Sequence, residues 1–257
     1  MWVDILGSIT RHKAPYLSDI YLEIEKRESK GAACPFRLEN VMGCSNSVMF
    51  GIARISELQC SKLQETSSGR IDNAVLSQIA DTIQMRYFSQ STQRVPFTVI
   101  CPSLLGNLYG LLPFASRSMD NPYTLPILQE SSLSTATITE AYRLGALIYL
   151  QTIVPGPPPF PKGAMEMASV AARFIHCHVP ESQMDQCLRI PLFLTACMST
   201  GDQRNIMGVR LCRSLNMGGS AGIGQNAFLV MQEVWRHLDR RVPIDWCHVM
   251  RRHVLLV

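Results

Sequence analysis

Apolar positions along the chain recur mainly at the helical period. Trp2, Ile5, Leu6 and Ile9 stand at i, i+3, i+4 and i+7, one face of a helix that opens at the very start. A helix whose core face is complete from its first turn implies an earlier segment, or a longer architecture of which this is a fragment. Residues 11–30 are polar and charge-rich, and 30–35 read as a loop. From Ser45 the period returns with Val48, Ile52, Ile55 and the turn at Leu58 and Gln59, with Ser45 or Asn46 as N-cap. A second stripe, Ile71, Val75, Leu76, Ile79, Ile83 and Tyr87, runs from Asp72 to Phe88. Two such faces joined by a short polar link predict an antiparallel helix hairpin.

Residues 89–121 show no defensible period. Beyond them, Thr137 or Thr139 can cap a helix over 141–154 (AYRLGALIYLQTIV), which is apolar nearly all round and therefore central. The proline-rich VPGPPPFPK, 154–162, ends it. Helices are then predicted over 163–178, 184–198, 203–215 and 225–240. Within the last third, IPLFLTAC (190–197) reads as a buried helix and LVMQEVWRHLD (229–239) as an amphipathic one with Trp235 on its inner face. IDWCHVM (244–250) reads as a closing turn around Trp246. Only 95–101 could be a strand, and no repeat of 20–50 residues is visible. The pattern predicts an all-α, irregular multi-helix array of antiparallel hairpins in a single domain, 1–257, with 95–121 as a poorly ordered insertion.

Composition changes this picture little. With 257 residues and 47% hydrophobic content, the chain can bury a large core. Its net charge of +4 is too small and too scattered, apart from Arg240–Arg241 and Arg251–Arg252, to argue for nucleic-acid binding. Nine cysteines, at 34, 44, 60, 101, 177, 187, 197, 212 and 247, make an odd count without a CxxC pair or a secretory signal. They predict free, packed thiols in a reducing intracellular compartment and no zinc ribbon. Residues 95–115 carry no charge and include Gly106 and Gly110 in a GxxxG spacing, but Pro96, Pro102 and Pro113 divide the run. A broken, buried connection is the reading, and no membrane span.

Each candidate constellation has a plainer explanation. Gly218, Gly222 and Gly224 in NMGGSAGIG match a G-x-x-x-G-x-G nucleotide-binding spacing, so a small NAD(P)-dependent enzyme using the glycine loop 218–224 is one alternative. The motif needs a strand before its turn, whereas GVRLCRSL before it reads helical, and no Tyr-x-x-x-Lys base is present. A flexible inter-helix loop with a C-cap glycine is preferred. His176, Cys177 and His178 diverge on a helix and could bind metal only with help from Cys187 or His237. Cys247 with His248, and Ser132 or Ser214 with a histidine, lack a nucleophile elbow. Glu233 and Asp239 read as surface charges or caps. Met165, Met167, Met184, Met198, Met207, Met217 and Met231 read as core filling, with an adaptable pocket or groove as the sharper option. No catalytic, cofactor-binding or metal residue is assigned, and no cofactor is expected.

Five blocks, in order, carry a resemblance: WVDILGSIT (2–10), VMGCSNSVMFGIARISEL (41–58), EAYRLGALIYL (140–150), IPLFLTACMSTGDQR (190–204) and VMQEVWRHLDRRVPIDWCHVM (230–250). The chain resembles the C-terminal regulatory domain of fungal zinc binuclear-cluster (Zn2Cys6) transcription factors, in the branch called the second fungal-specific transcription factor domain. The resemblance implies an all-helical, middle-homology-like region over 1–257, a nuclear location, a role in transcription regulation and no enzyme activity. It further implies protein partners, as a homodimer or with related transcription factors and co-regulators, and responsiveness to a small-molecule effector. Cys34, Cys44 and Cys60 lack the zinc-cluster spacing, and no basic recognition segment accompanies them, so no direct nucleic-acid binding is expected of this chain alone. A standalone interaction protein that modulates related factors is the further alternative.

Overall fold

A computed structural model describes residues 1–11, 13–31, 37–68, 72–89, 135–154, 162–180, 187–216, 221–242 and 249. Among these residues there are ten α-helices and no strand: α1 (Trp2–Arg11), α2 (Ser18–Ser29), α3 (Glu39–Met42), α4 (Asn46–Ser68), α5 (Asn73–Ile83), α6 (Thr135–Ile153), α7 (Lys162–His178), α8 (Arg189–Met198), α9 (Gly201–Asn216) and α10 (Ala221–Asp239). The fold is all-α, as the periodicity predicts. The expectations for 95–101, 95–115 and 95–121 lie outside the described residues, as do Ser132, Met184, Met217, Trp246, Cys247 and His248.

Three helices form a spine. The four-sided burial of α6, from Ile138 through Ile153, follows from its sequence, and it packs against α4 on one side and α7 and α8 on the other. Around α4 gather α1, α2 and α5, while α8 carries α7, α9 and α10. Every residue of α8 from Ile190 to Met198 is buried. Pro191 is tolerated because it lies in the first turn, whose amides have no intrahelical acceptor. At the crossing of α6 and α8, Gly145 lets the backbones close: an added Cβ would sit 3.1 Å from Pro191 Cα.

The α4–α5 hairpin is present, and α5 ends in a π-turn, Gln84–Phe88. Asp72 is the α5 N-cap, its carboxylate accepting from the amides of Ala74 and Val75 at 2.9 and 3.3 Å. The predicted stripe is rotated, however. Leu76, Ala80 and Ile83 face the core, while Val75 and Ile79 are exposed.

Other boundaries also differ. Helix α2 occupies the stretch read as polar, burying only Tyr21 and Ile24. Helix α6 begins at Thr135, so Thr137 and Thr139 lie inside it. The Thr139 hydroxyl instead accepts from the Ser45 amide at 3.0 Å, tying α6 to the start of α4. Asn46 reaches across to α2, donating to Glu28 Oε1 at 2.6 Å and accepting from the Leu38 amide at 3.0 Å. Helix α8 starts at Arg189, and the predicted start at 184 lies outside the described residues.

Candidate functional site

The chemistry suggested by isolated motifs does not assemble. Helix α9 ends at Asn216 and α10 starts at Ala221, so Gly222 and Gly224 lie inside the first turns of α10 and Gly218 lies outside the described residues. A helix leads into this segment where a pyrophosphate cradle needs a strand. Gly222 and Gly224 are therefore helical residues, a correction to the inter-helix loop expected over 218–224. His176, Cys177 and His178 are all exposed at the end of α7, where the His178 ring lies 4.9 Å from that of Phe174. Among the described residues no group of three or more His, Cys, Asp or Glu is placed to hold a metal ion. Ser214 is buried and donates to Leu211 O at 2.7 Å, a local helix bond.

Met198, Met207 and Met231 are in the core, and Met165 and Met167 pack against it. The apolar seam where α1, α4, α6 and α8 meet, lined by Ile9, Ile52, Tyr142, Tyr149 and Leu194, is too tight to admit a water molecule. Those methionines fill space in and against the core. Buried thiols follow the same logic: burial pushes Cys197 and Cys44 well above the ordinary thiol range, the reverse of what a nucleophile needs.

What the fold does assemble is a set of charged ties between helices. The Asp4 carboxylate accepts from Arg11 Nη2 at 3.1 Å, from the amides of Tyr16 and Leu17 at 3.0 and 3.1 Å, and from the Tyr21 hydroxyl at 2.9 Å. Burial pushes this carboxyl up, but the donors outweigh burial and hold it below the usual carboxylate range. Burial and the bond to Asp4 raise the Tyr21 phenol in turn. Glu25 of α2 pairs with Arg54 of α4 at 3.6 Å and with Arg86 of the π-turn at 2.5 Å, and accepts from Tyr87 Oη at 2.7 Å. The buried Arg210 donates to Ile175 O at 3.2 Å and Pro180 O at 3.1 Å, placing a guanidinium on the carbonyl end of α7.

The α9–α10 pair is closed by Arg204, Trp235 and Asp239. Arg204 meets Asp239 through two bonds of 2.9 Å and lies 5.1 Å over the Trp235 ring, whose Nε1 donates to Ala196 O of α8 at 2.9 Å. The Arg204 hydrogen bond holds the Asp239 carboxyl below its ordinary value. Asp239, read from sequence as a surface charge or cap, is thus an exposed half of a fork-to-fork ion pair. Glu233 makes no ion pair among the described residues.

The tie of Arg204 and Ala196 to Asp239 and Trp235 joins two of the blocks that carry the resemblance. Helix α1, the α3–α4 segment, α6, α8 with the start of α9, and α10 hold the five blocks, and they touch in succession. A family model described as a fungal specific transcription factor domain matches residues 1–257. The chain belongs to that family. The fungal specific transcription factor domain is a family of transcription factors, not of enzymes, so the NAD(P)-dependent alternative falls. Among similar curated proteins is the pestheic acid cluster transcriptional regulator 3 of Pestalotiopsis fici, 22% identical over 253 residues, covering 97% of this chain and 40% of that relative. The chain thus spans about two fifths of its relative's length. No solved structure matches it.

Proposed function

We propose that this chain is a helical regulatory domain that modulates transcription from the nucleus through contacts with other proteins. Family membership over residues 1–257 carries the reading, and the relative, named as a transcriptional regulator, agrees with it. Among the described residues, the seam where α1, α4, α6 and α8 meet is closed by its own side chains. Asp239, a charged candidate of the sequence, is spent on the tie to Arg204 between α9 and α10. No helix among the described residues is long and apolar enough to cross a membrane.

The test is a reporter assay in a fungal cell, with the chain fused to an unrelated DNA-binding module and to a fluorescent tag. The expected result is nuclear fluorescence and reporter output several-fold away from that of the module alone. Output indistinguishable from the module alone, at equal protein levels, would sink the reading.

A further inference from the structure

We propose that Ser29, the last residue of α2, is a phosphorylation site for a basic-directed protein kinase, and that a phosphate there releases the end of α2 from α4. Lys26 and Arg27 stand three and two residues before it, in the run KRES. Cations at those positions are what an acidic kinase cleft reads, through charge-assisted bonds that place the hydroxyl following them. Lys26, Arg27, Ser29 and Lys30 are all exposed. Arg27 pairs with Glu23 at 3.1 Å, a solvated contact that such a cleft displaces at little cost. Beyond Ile24 no residue through Gly31 is buried, so the last turn can unwind into the extended form a kinase binds without opening the core. Ser214 is the contrast. Arginines stand four and one residues before it, yet Ser214 and Arg210 are both buried and bonded into the fold.

The γ-phosphoryl group of ATP passes to Ser29 Oγ: an O–P bond forms as the bond to the β-phosphate oxygen breaks, the hydroxyl proton goes to the kinase's base, and ADP leaves. In the unmodified chain Ser29 Oγ donates to Lys26 O at 2.9 Å, satisfying a carbonyl in the last turn of α2. A phosphate dianion has no proton to donate there. It sets a charge of about −2 against the negative end of the helix and beside Glu28. Lys26 and Lys30 offset this only in part, because both are exposed and water screens them. Glu28 carries the effect to α4. Its Oε1 accepts from Asn46 Nδ2 at 2.6 Å, and Asn46 Oδ1 in turn accepts from the Leu38 amide at 3.0 Å. Helix α2 buries only Tyr21 and Ile24, so losing this tie frees its end from the start of α4.

Treating the full chain with ATP and the catalytic subunit of cyclic-AMP-dependent protein kinase, a basic-directed enzyme, tests it. Intact mass should show one phosphoryl group per chain, peptide mapping should place it on Ser29, and Ser29→Ala should remove it. Because Ser29 is exposed, the alanine variant should fold as the parent does, so a lost phosphate reports the site and not the fold. Lys26→Gln together with Arg27→Gln should slow the transfer about tenfold, the cost of charge-assisted bonds to the kinase. In the phosphorylated chain, hydrogen exchange should be about tenfold faster at the amides of residues 28–31 and of Leu38, while amides of α6 and α8 exchange as before. Phosphate only on other residues, transfer indifferent to Lys26 and Arg27, or exchange at the end of α2 unchanged by the phosphate would each overturn the proposal.

Discussion

Asp4 shows how one carboxylate can organise a corner of the fold. It satisfies two amides, a phenol and a guanidinium at once, none of them from a sequence neighbour closer than seven positions away. Because its folded pKa is depressed, the unfolded chain binds the proton first, and stability rises with pH across that window. The contribution is complete above the ordinary carboxylate value of about 4 and is lost as pH falls through the lower folded value. Asp4→Asn is therefore expected to cost about 1–3 kcal/mol in urea unfolding at neutral pH, and less in acid. Arg241 offers the opposite case. It takes the left-handed position after α10, with φ 56°, while the Val242 amide bonds back to His237 O at 3.0 Å. Glycine is at ease there and arginine is not, so Arg241→Gly should raise stability by about 0.5–1 kcal/mol, read as a higher melting temperature.

Elements depend on close approaches that the helical period does not announce. Gly51 of α4 faces the π-turn, and a Cβ there would fall 2.5 Å from Phe88 Cζ and 2.9 Å from Tyr87 Cβ. Alanine is the better helix former by about 1 kcal/mol, yet Gly51→Ala should destabilise by about 1–3 kcal/mol in a denaturant melt, since two buried aromatics must move. Trp235 binds α10 to both its neighbours, stacking under Arg204 and bonding to α8 through Nε1. Trp235→Ala should cost about 3 kcal/mol, and Trp235→Phe only the hydrogen bond, about 1 kcal/mol; equal losses would contradict this division. The tryptophan itself is legible as an inward residue of an amphipathic helix. Its partners are not, because Ala196 and Arg204 lie 39 and 31 positions away.

On the scale of the whole molecule, the α4–α6–α8 spine makes the two halves of the described chain lean on one helix. Unfolding should therefore be a single transition. Trp2 stands on α1 and Trp235 on α10, so tryptophan fluorescence samples both ends of that array. Its melt should coincide with the loss of helical circular dichroism. Two separated transitions would count against the single-domain reading of 1–257.

Sequence alone determined the class of the fold and its central elements, because helix period and hydrophobic run are local properties. A segment apolar all round, such as 141–154, has no choice but the interior. The five blocks likewise pointed to the family. Tertiary structure decided which edge of a face is covered and which polar groups meet. Helix α2 escaped the period because it buries little and is held mainly by Asp4, Arg54 and Asn46 through groups that only folding brings near. Val75 and Ile79 turned outward because docking on α4 selects Leu76, Ala80 and Ile83 from a stripe wider than the contact. Periodicity specifies a face; a partner exists only once a second element has been packed against it.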